Sequence, residues 1–393
     1  MATDHVCPSC GTHDMSIFYE ARNVPVNSCL LLSTQKQALK FPSGDVVLGF
    51  CEACGFISNV AFDPLKVDYS SVYEDQQCFS STFNVFAKNL ATRLFKKHNL
   101  HNKRILEIGC GKGDFLELLC ELGNNYGVGI DPAYEKGRIQ SKASKGLTFI
   151  RDYYSERYAN YHGDLVCCRH TLEHIPNTAE FVNTVRRAIG NRLDTIVFFE
   201  VPDVTRVLRE LAFWDIYYEH CSYFSLGSLA RLFRFCKFEV TDLSKDFDDQ
   251  YLLIEAKPVS QASEKVHESE ESVEETGKYV KYFSARYRDK LGQWKNRLQR
   301  IHAERRRAVV WGSGSKCVAF MTTLGVKDEI EYVIDINPYR HGKFIPGAGK
   351  QIMPPEFLKK YQPDITIVMN PIYCREIQEM LDDMGVATEV TSI

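Results

Sequence analysis

The sequence lacks three features that would direct it to a membrane, to nucleic acid or to the secretory route. No apolar run reaches the roughly 18 residues that a membrane-spanning helix needs, so we expect no membrane partner. The 393 residues carry a formal net charge of -3, which argues against nucleic-acid binding through bulk positive charge. The first five residues, Met-Ala-Thr-Asp-His, have neither the basic nor the apolar region of a signal peptide, so we expect a cytoplasmic location.

The composition is that of an ordinary globular protein with enough length for more than one core. Apolar residues make up 44% of the chain and charged residues 25%, and 393 residues can form two or three hydrophobic cores. The fourteen cysteines are spread along the whole chain. Because no signal peptide directs them to an oxidising compartment, we expect reduced thiols and a metal site instead of a disulfide scaffold.

Two Cys-x-x-Cys pairs, each followed by glycine, occur at residues 7–11 and 51–55. Such pairs present two thiolates from a tight turn, and the glycine allows the positive φ that the backbone needs after the second ligand. Two pairs complete a closed tetrahedral shell with no open position for water, so the predicted role of the metal is structural. Incidental cysteines and a redox pair are the alternatives, but neither pair opens a helix after a strand. The predicted zinc-binding module covers residues 1–70. Its Zn²⁺ ligands are Cys7, Cys10, Cys51 and Cys54.

The stretch from residue 104 to residue 131 joins an apolar strand, a glycine loop and an acid. Arg104 to Ile108 is an apolar run of strand length, and an amphipathic helix begins near Asp114. A second apolar strand, Tyr126 to Ile130, ends in Asp131, where a doubly wound sheet presents a carboxylate to ribose hydroxyls. The glycines that let the backbone turn tightly and approach a ligand are Gly109, Gly111 and Gly113. This unit predicts a cofactor that contains adenosine.

The glycine spacing and the acid before it distinguish two kinds of cofactor. A dinucleotide-binding loop reads Gly-x-Gly-x-x-Gly, whereas this loop reads Gly-x-Gly-x-Gly and has Glu107 two residues before its first glycine. The pattern resembles motif I of class I S-adenosylmethionine-dependent methyltransferases, in which the loop faces the methionine part of the cofactor. We therefore predict S-adenosyl-L-methionine as the cofactor. A nucleotide diphosphate cofactor and a plain glycine-rich connector are the alternatives.

Two further strands carry polar residues at their carboxyl ends. Phe149 to Arg151 closes a third strand and is followed by Asp152, where methyltransferases of this class often carry an acid for the adenine amino group. Residues 164–170 form a fourth strand that ends in His170, near the predicted cofactor. His174 follows in an apolar helical context, where a histidine is more often a packed or capping residue than a catalyst. The predicted cofactor-binding residues are Glu107, Gly109, Gly111, Gly113, Asp131, Asp152 and His170.

A segment after the fifth predicted strand, Thr195 to Phe199, concentrates aromatic and titratable residues. Residues 213–225 contain six aromatics, two acids and one histidine, which is too polar for a core helix and too aromatic for a solvent face. Histidine accepts a proton near neutral pH, and a flanking carboxylate can orient it and stabilise its charged form. We predict a proton-transfer site formed by His220, Tyr217 and Glu219. A structural histidine is the alternative.

The segment from Tyr69 to Phe83 alternates aromatic and polar residues without a clean period, which favours a loop over a pocket. We predict that Tyr73 and either Gln76 or Gln77 line the substrate cleft. The alternative is that these residues pack the zinc-binding module onto the core.

The carboxyl-terminal third repeats the pattern of a strand followed by a glycine turn. An exposed link over residues 260–273 precedes a long amphipathic helix from Tyr279 to Arg307. Ala308 to Lys316 is then a strand with a glycine turn, and a second strand begins at Tyr332. This is the pattern of a Rossmann-like half whose helix terminus can hold phosphate. A purely architectural duplicate is the alternative. The candidate substrate-binding residues are Lys316, Asn337 and Asn370.

Taken in order, these parts resemble the sugar C-methyltransferase family, which acts on nucleotide-linked keto-deoxysugars. The shared features are the four-cysteine domain, the Glu-x-Gly-x-Gly-x-Gly core, a Tyr-x-Glu-His segment before Ser-Tyr-Phe-Ser, and a smaller Rossmann-like carboxyl domain. The resemblance implies that His220, helped by Tyr217 and Glu219, removes a proton beside a ketone and that the enolate attacks the sulfonium methyl group. It also implies that the carboxyl-terminal domain helps to hold the nucleotide.

The predicted fold is α/β, with a class I methyltransferase Rossmann-like core between two smaller parts. Its predicted divisions are a zinc-binding module at 1–70, the methyltransferase core at 71–258, a linker and amphipathic helix at 259–304, and a Rossmann-like domain at 305–393. The functional alternatives are an O- or N-methyltransferase of another small metabolite, a non-catalytic zinc-containing binding protein, and a dehydrogenase that binds NAD at the Gly312-Ser-Gly314 turn. The sugar, the nucleotide, the methylated carbon and the oligomeric state stay open.

Overall fold

The structure is a computed structural model that describes residues 5–13, 15–70, 72–138, 146–261 and 265–393. Three sheets in these ranges define an amino-terminal module, a central core and a carboxyl-terminal domain. The elements of the amino-terminal module are β1 Met15–Pro25, α1 Gln35–Leu39, β2 Ser43–Cys51 and β3 Ile57–Asn59. Those of the central core are α2 Ser81–His98, β4 Arg104–Ile108, α3 Asp114–Gly123, β5 Tyr126–Ile130, β6 Leu147–Ile150, β7 Leu165–Arg169, α4 Thr178–Ile189, β8 Ile196–Pro202, α5 Val204–Glu210, β9 Ser222–Tyr223, α6 Leu226–Phe235, β10 Phe238–Asp246 and β11 Tyr251–Pro258. Those of the carboxyl-terminal part are α7 Val273–Ala303, β12 Ala308–Trp311, α8 Ser315–Leu324, β13 Tyr332–Ile334, β14 Gln351–Met353, α9 Leu358–Tyr361, β15 Ile365–Val368, α10 Cys374–Met384 and β16 Glu389–Ser392.

The central core is built on a seven-stranded sheet with the strand order β10-β11-β8-β7-β4-β5-β6. The five strands from β8 to β6 in that order pair in parallel, and β11 is antiparallel to both of its neighbours. The chain moves outward from β4 on one side through β5 and on the other through β7, so the strand order reverses at β4. In doubly wound sheets a ligand cleft opens at the carboxyl ends of the strands at this point. The sheet thus places the loop after β4 where a cofactor can bind.

The two predicted strands around the glycine loop are confirmed at their predicted bounds, and the helix begins at Asp114 as predicted. The fifth strand, predicted to end at Phe199, continues as β8 to Pro202. The reason is the ladder with β11, which pairs Pro202 with Tyr251. Such a long-range pairing extends a strand beyond the residues that its own pattern marks.

The long helix α7 begins at Val273, six residues before its predicted start. Ser272 and Glu275 form a capping box in which the Ser272 side chain accepts from Glu275 N and the Glu275 side chain accepts from Ser272 N. The cap satisfies two N–H groups of the first turn, so the helix starts inside the predicted link. Although α7 spans 31 residues, neither it nor any other helix in the described ranges is apolar enough to cross a bilayer.

The amino-terminal module and the central core share one sheet. Its strand order is β1-β2-β3-β9, and β9 belongs to the central segment that carries His220. Ile57 pairs with Tyr223 and Ser58 pairs with Ser222. Since β9 begins two residues after His220, the sheet of the module fixes the position of that segment.

Helix α7 packs against both the amino-terminal module and the carboxyl-terminal domain. Tyr19 of β1 meets the rings of Phe283 and Tyr287 at centroid distances of 5.6 and 5.0 Å. Further along the helix, Trp294 meets Phe320 of α8 edge-on at 5.2 Å. One continuous apolar cluster therefore runs from the module to the carboxyl-terminal domain.

The carboxyl-terminal domain has a parallel five-stranded sheet in the order β14-β13-β12-β15-β16. The order reverses at β12, so the glycine turn after β12 lies at the same kind of position as the loop after β4. This is the predicted Rossmann-like half.

Candidate active site

The loop after β4 passes through backbone conformations that favour glycine. Gly109 has a φ of +69°, and a Cβ there would lie 1.8 Å from Thr171 Oγ1. Gly111 and Gly113 have φ values of +55° and +98°. The left-handed backbone and the close approach of Thr171 therefore exclude a larger residue at Gly109.

Asp131, at the end of β5, holds the glycine loop by accepting two backbone hydrogen bonds. Gly111 N donates to Oδ2 at 2.8 Å and Ala133 N donates to Oδ1 at 2.6 Å. Burial raises the pKa of Asp131 to about 6, and these two donors limit the rise. Each carboxylate oxygen keeps a lone pair, so Asp131 can also accept hydrogen bonds from ribose hydroxyls.

Glu107 lies at the same edge of the sheet and is only 2% exposed. Its Oε2 has no hydrogen-bond partner in the described part of the chain. Burial raises the pKa of Glu107 to about 8, although the charge of Arg169 acts in the opposite direction. A buried carboxylate with an unused oxygen needs a hydrogen-bond donor, and S-adenosylmethionine offers an ammonium group and two ribose hydroxyls. The glycine loop, Glu107 and Asp131 thus fit this cofactor.

A covering segment, residues 72–80, which we name the strap, is bonded to the glycine loop. Lys112 lies within that loop, is buried, and donates from Nζ to the carbonyls of Tyr73 at 3.1 Å and Ala133 at 2.7 Å. Gln76 Nε2 donates to Asp114 Oδ2 at 2.9 Å, and Gln76 Oε1 accepts from Arg138. The predicted cleft residue Gln76 therefore binds the strap to the start of α3, beside the glycine loop. Lys112 binds the strap to the loop itself, a role that its position between two glycines did not reveal.

His220 lies in a buried cluster next to β9. Its Nε2 is 3.0 Å from the Tyr217 hydroxyl, and its ring stands edge to face with that of His174 at 4.8 Å. Burial, together with the charges of His174 and His170, lowers the pKa of His220 well below its usual value. Burial also raises the pKa of Tyr217 well above its usual value. The pair at neutral pH is therefore a neutral imidazole beside a protonated phenol, which can accept and donate a proton.

Glu219 does not turn its carboxylate toward His220. Its Oε2 accepts from Ser28 N at 2.8 Å and its Oε1 accepts from Asn27 Nδ2 at 3.4 Å. Tyr73 also bonds to this carboxylate, and burial raises the pKa of Glu219. The structure therefore gives Glu219 contacts to the amino-terminal module and to the strap, in place of the predicted contact that orients His220. The predicted cleft residue Tyr73 lies buried at the same point.

His174 belongs to the same cluster as His220. Its Nδ1 lies 2.7 Å from the Tyr69 hydroxyl and 3.1 Å from the Glu219 carbonyl. The sequence favoured a packing role for His174, because its neighbours are apolar. Its place soon after the carboxyl end of β7 was the signal that could have drawn it into the site, since that edge carries the cleft.

His170 belongs to a row of ionisable groups next to this cluster, together with Glu173, Glu200 and Arg169. Its Nε2 lies 2.7 Å from Glu200 Oε1, off the line of a hydrogen bond, and its Nδ1 lies 3.4 Å from Glu173 Oε1. Arg169 holds Glu200 from the other side at 2.9 Å. Burial opposes the charged form of His170, but Glu200 and Glu173 outweigh it and raise the pKa to about 9. Both ring nitrogens face carboxylates, but Nε2 forms no hydrogen bond in the described part of the chain, so the predicted cofactor contact of His170 stays a prediction.

Asp152 lies beyond β6 and is engaged within its own loop. Oδ1 accepts from Tyr153 N at 2.8 Å, while Oδ2 contacts the Tyr158 hydroxyl and Arg157. Its place after the third parallel strand matches the predicted position for an adenine contact. A hydrogen bond to adenine would share the oxygens that these neighbours use.

The three residues predicted in the carboxyl-terminal domain all face the central core. Lys316 Nζ lies 2.7 Å from Asp215 Oδ2. Asn370 and Gln250 exchange two amide hydrogen bonds of 2.8 and 3.1 Å. Asn337 reaches the strap in a separate contact.

The strap also forms hydrogen bonds with the carboxyl-terminal domain. Asn337 Nδ2 donates to Glu74 Oε1 at 2.9 Å, and Arg340 donates to the Glu74 carbonyl. At the end of the strap, Glu376 of α10 accepts from Ser80 Oγ at 2.7 Å and so caps helix α2. Sequence reasoning missed Glu74 and Arg340, since neither belongs to a recognisable motif.

The four predicted metal ligands form one cluster in the amino-terminal module. Their sulfur atoms all lie within 4.8 Å of one another, with 3.7 Å between Cys7 and Cys54 and between Cys10 and Cys51. A tetrahedral Zn²⁺ with bonds of about 2.3 Å would hold its sulfurs about 3.8 Å apart, so the cluster fits this ion. The glycine after each pair has positive φ, +80° at Gly11 and +75° at Gly55.

Two family descriptions match consecutive parts of the chain. Residues 79–243 match a methyltransferase domain, and residues 252–388 match a C-methyltransferase C-terminal domain. The C-methyltransferase NovU of Streptomyces niveus is 27% identical over 300 residues, which cover 72% of this chain and 70% of that protein. A ubiquinone biosynthesis O-methyltransferase of Hydrogenovibrio crunogenus is 30% identical over 99 residues, 23% of this chain and 40% of that one.

Among solved structures, the magnesium protoporphyrin IX methyltransferase ChlM of Synechocystis PCC 6803 with bound SAH is similar with a TM-score of 0.37. The two chains share 15% identity, and the match covers 48% of this chain and 91% of that one. The sheet topology and the two matched domains confirm the predicted fold class, an α/β protein with a class I methyltransferase core. The chain is an S-adenosylmethionine-dependent methyltransferase.

Proposed function

We propose that this methyltransferase transfers the methyl group to a carbon atom beside a ketone in a nucleotide-linked keto-deoxysugar. The observation that carries the proposal is the buried, neutral His220 paired with the Tyr217 hydroxyl at 3.0 Å. A carbon beside a ketone must lose a proton before it can attack the methyl group, and a neutral imidazole has a ring nitrogen that can take that proton. The match of residues 252–388 to a domain of C-methyltransferases supports the same reading.

The cofactor is held by the loop after β4 and the acids beside it. We assign Glu107 and Asp131 to the polar groups of S-adenosylmethionine, with the loop glycines along its backbone and Asp152 at the adenine end. His170 we assign to the row of ionisable groups with Glu200. When bound, S-adenosylmethionine supplies an electrophilic methyl group that a carbon nucleophile can take.

His220 acts as the proton acceptor in this proposal. The neutral imidazole takes the proton from the substrate carbon, and the electron pair of the C–H bond passes into the enolate. The Tyr217 hydroxyl, kept protonated by burial, donates a hydrogen bond to the developing negative charge, and its oxygen can accept one from the imidazolium. Glu219 fixes the segment that carries both side chains by bonding to Ser28.

The nucleotide part of the substrate is assigned to the interface between the carboxyl-terminal domain and the central core. Lys316 supplies a positive charge there, and Asn337 and Asn370 supply amides. Binding would exchange their present contacts with Asp215, Glu74 and Gln250 for contacts with the ligand. The strap residues Tyr73 and Gln76 close the same cleft from the cofactor side.

The four cysteines are assigned to a structural Zn²⁺. Their shell is closed, so the ion adds folding energy and takes no part in proton transfer. Its effect on the site is indirect, because the sheet of the zinc module contains β9 beside His220.

The test is incubation of the purified protein with S-adenosylmethionine and a panel of nucleotide-linked keto-sugars, followed by mass spectrometry. NMR of the product should show the new methyl group on carbon. The His220→Asn variant should lose methyl transfer by about 1000-fold while calorimetry finds the same affinity for S-adenosylmethionine. A methyl group on oxygen or nitrogen would favour the O- or N-methyltransferase alternative, and cofactor binding without any turnover would favour a binding protein.

A further inference from the structure

The carboxylate of Glu173 is buried in the active-site cluster and carries no hydrogen bond. The residue is 2% exposed, and within the described ranges neither side-chain oxygen accepts a well-aligned hydrogen bond; the nearest donor is His170 Nδ1, 3.4 Å from Oε1. Burying a carboxylate without donors costs several kcal/mol, so proteins seldom keep one unless it has a task. The proposed mechanism does not yet use it.

Two kinds of group surround this carboxylate. His170 is an ion-pair partner, with Nδ1 3.4 Å from Oε1. Beyond it, one oxygen of Glu173 and one ring nitrogen each of His174 and His220 lie within 4.8 Å of one another. The carboxylate therefore faces the rings of the cluster without bonding to them.

The groups that act on His220 are otherwise cationic. The charges of His174, His170 and Lys316 all disfavour its protonated form, and burial does so too. In the enzyme before reaction these effects keep the His220 imidazole neutral, so that it can accept a proton. Once the proton arrives, however, the imidazolium is buried among positive charges and needs a negative one.

Glu219 does not supply that charge, because Ser28 and Asn27 hold its carboxylate on the side of the amino-terminal module. Glu200 is engaged by Arg169 and His170. Glu173 alone among these three acids forms no hydrogen bond through either oxygen within the described residues, and its one charged contact is the ion pair of Oε1 with His170.

We infer that Glu173 is the counter-charge for His220, a positioning residue whose carboxylate stabilises the imidazolium formed when His220 takes the substrate proton. The inference rests on the proposed function. In the resting state the imidazole is neutral and gains little from the carboxylate, whereas the charged imidazolium gains a full ionic attraction. An interaction that appears only as charge develops speeds the step without tightening substrate binding.

The experiment measures proton removal separately from methyl transfer. The panel member that wild type methylates is incubated in D₂O with S-adenosylhomocysteine in place of the methyl donor. NMR follows deuterium entering the carbon beside the ketone. We expect Glu173→Gln to slow this exchange by about 100-fold with KM for the sugar nearly unchanged. Glu173→Asp should restore part of the rate, because the charge returns on a shorter side chain.

Glu180→Gln is the control, since it removes an exposed glutamate of α4 whose side chain pairs with Arg187 and has no part in the proposed mechanism. It should leave the exchange rate per folded molecule within a few fold. Far-UV circular dichroism and thermal midpoints show which variants are folded. The inference is overturned if Glu173→Gln exchanges at the wild-type rate, or if Asp and Gln lower the rate equally.

Metal analysis tests a second explanation for a slow Glu173→Gln variant, namely that Glu173 is a metal ligand. Glu173, His174 and His220 could together bind a divalent cation. If Glu173→Gln purifies with fewer metal ions than wild type, and added Mn²⁺ or Zn²⁺ changes the wild-type rate, Glu173 is a ligand and the counter-charge role is wrong. Failure of the proposed function would look different: wild type itself would neither exchange nor methylate any sugar in the panel.

Discussion

The two glycine turns of this molecule share one backbone design and differ in the side chains around it. In the central core, Gly111 N donates to Asp131, the acid after β5. In the carboxyl-terminal domain, Ser313 N donates to Asp335, the acid after β13, at the same 2.8 Å. Each acid also accepts the N–H two residues further along the chain. The backbone pattern alone therefore cannot tell a cofactor site from its structural copy.

The side chains make the difference. Two residues before the first glycine stands Glu107 in the core and Val310 in the copy. In the central core, Oε2 of Glu107 has no hydrogen-bond partner in the described part of the chain. In the carboxyl-terminal turn, Arg340 donates to the carbonyl and the hydroxyl of Ser313 at 3.0 Å. This difference supports the assignment of the cofactor to the central turn, because a buried polar atom there is left without a partner.

The largest effect is expected from exchanging the first glycine of each turn. Gly109→Ala forces a Cβ into Thr171 on a left-handed backbone, so we expect loss of measurable S-adenosylmethionine binding by calorimetry. The matched variant Gly312→Ala meets only Met369 at 3.6 Å, although its φ is +100°. It should lower the thermal midpoint and keep cofactor affinity. Equal affinities in the two variants would contradict the assignment of the cofactor to the central turn.

A smaller effect is expected from Glu107→Gln. Loss of the charged acceptor should weaken S-adenosylmethionine binding by about 10- to 100-fold. Stability should change in the other direction. Burial raises the pKa of Glu107 to about 8, so without cofactor the wild type loses stability as pH rises from about 4.5 to about 8.

The Gln variant does not titrate and escapes this loss. Its free energy of unfolding in urea, measured without cofactor, should exceed that of wild type by about 4 kcal/mol more at pH 9 than at pH 5. A constant difference across this range would show that Glu107 does not titrate as assigned.

The smallest effect on ligand binding is expected from Arg340→Met in the carboxyl-terminal turn. Removing the guanidinium leaves Ser313 and the Glu74 carbonyl without a buried donor, which should cost about 2–4 kcal/mol in urea unfolding. Removing the guanidinium should not turn the carboxyl-terminal turn into a cofactor site, because the Val310 side chain has no hydrogen-bond acceptor. Calorimetry should therefore find no NAD binding and an unchanged affinity for S-adenosylmethionine. New binding of either ligand to the variant would refute the comparison.

The glycine turns were predictable from the sequence because their physics is local. An apolar run, a turn of glycines and an acid at the end of the next strand are all written in consecutive residues, and the bounds of β4 and β5 and the start of α3 agree with prediction. The four cysteines were predictable for the same reason, since each pair makes its own turn.

The cluster around His220 was only partly predictable because long-range contacts decide its arrangement. Tyr217 contacts His220 as expected, three residues away on one segment. The direction of Glu219 depends instead on Ser28, 191 residues distant, and no local pattern announces that bond. Glu173 and His174 enter the cluster because the turn after β7 packs against the segment around β9, where Ser222 Oγ donates to the Ile175 carbonyl, and only the folded chain shows this contact.

The nine residues of the strap contact both the central core and the carboxyl-terminal domain. The strap is fastened to the glycine loop through Lys112 and to the carboxyl-terminal domain through Glu74 and Glu376. Under the proposed function, this one segment borders the cofactor on one side and the nucleotide on the other. Loss of either set of contacts should therefore disturb both binding sites.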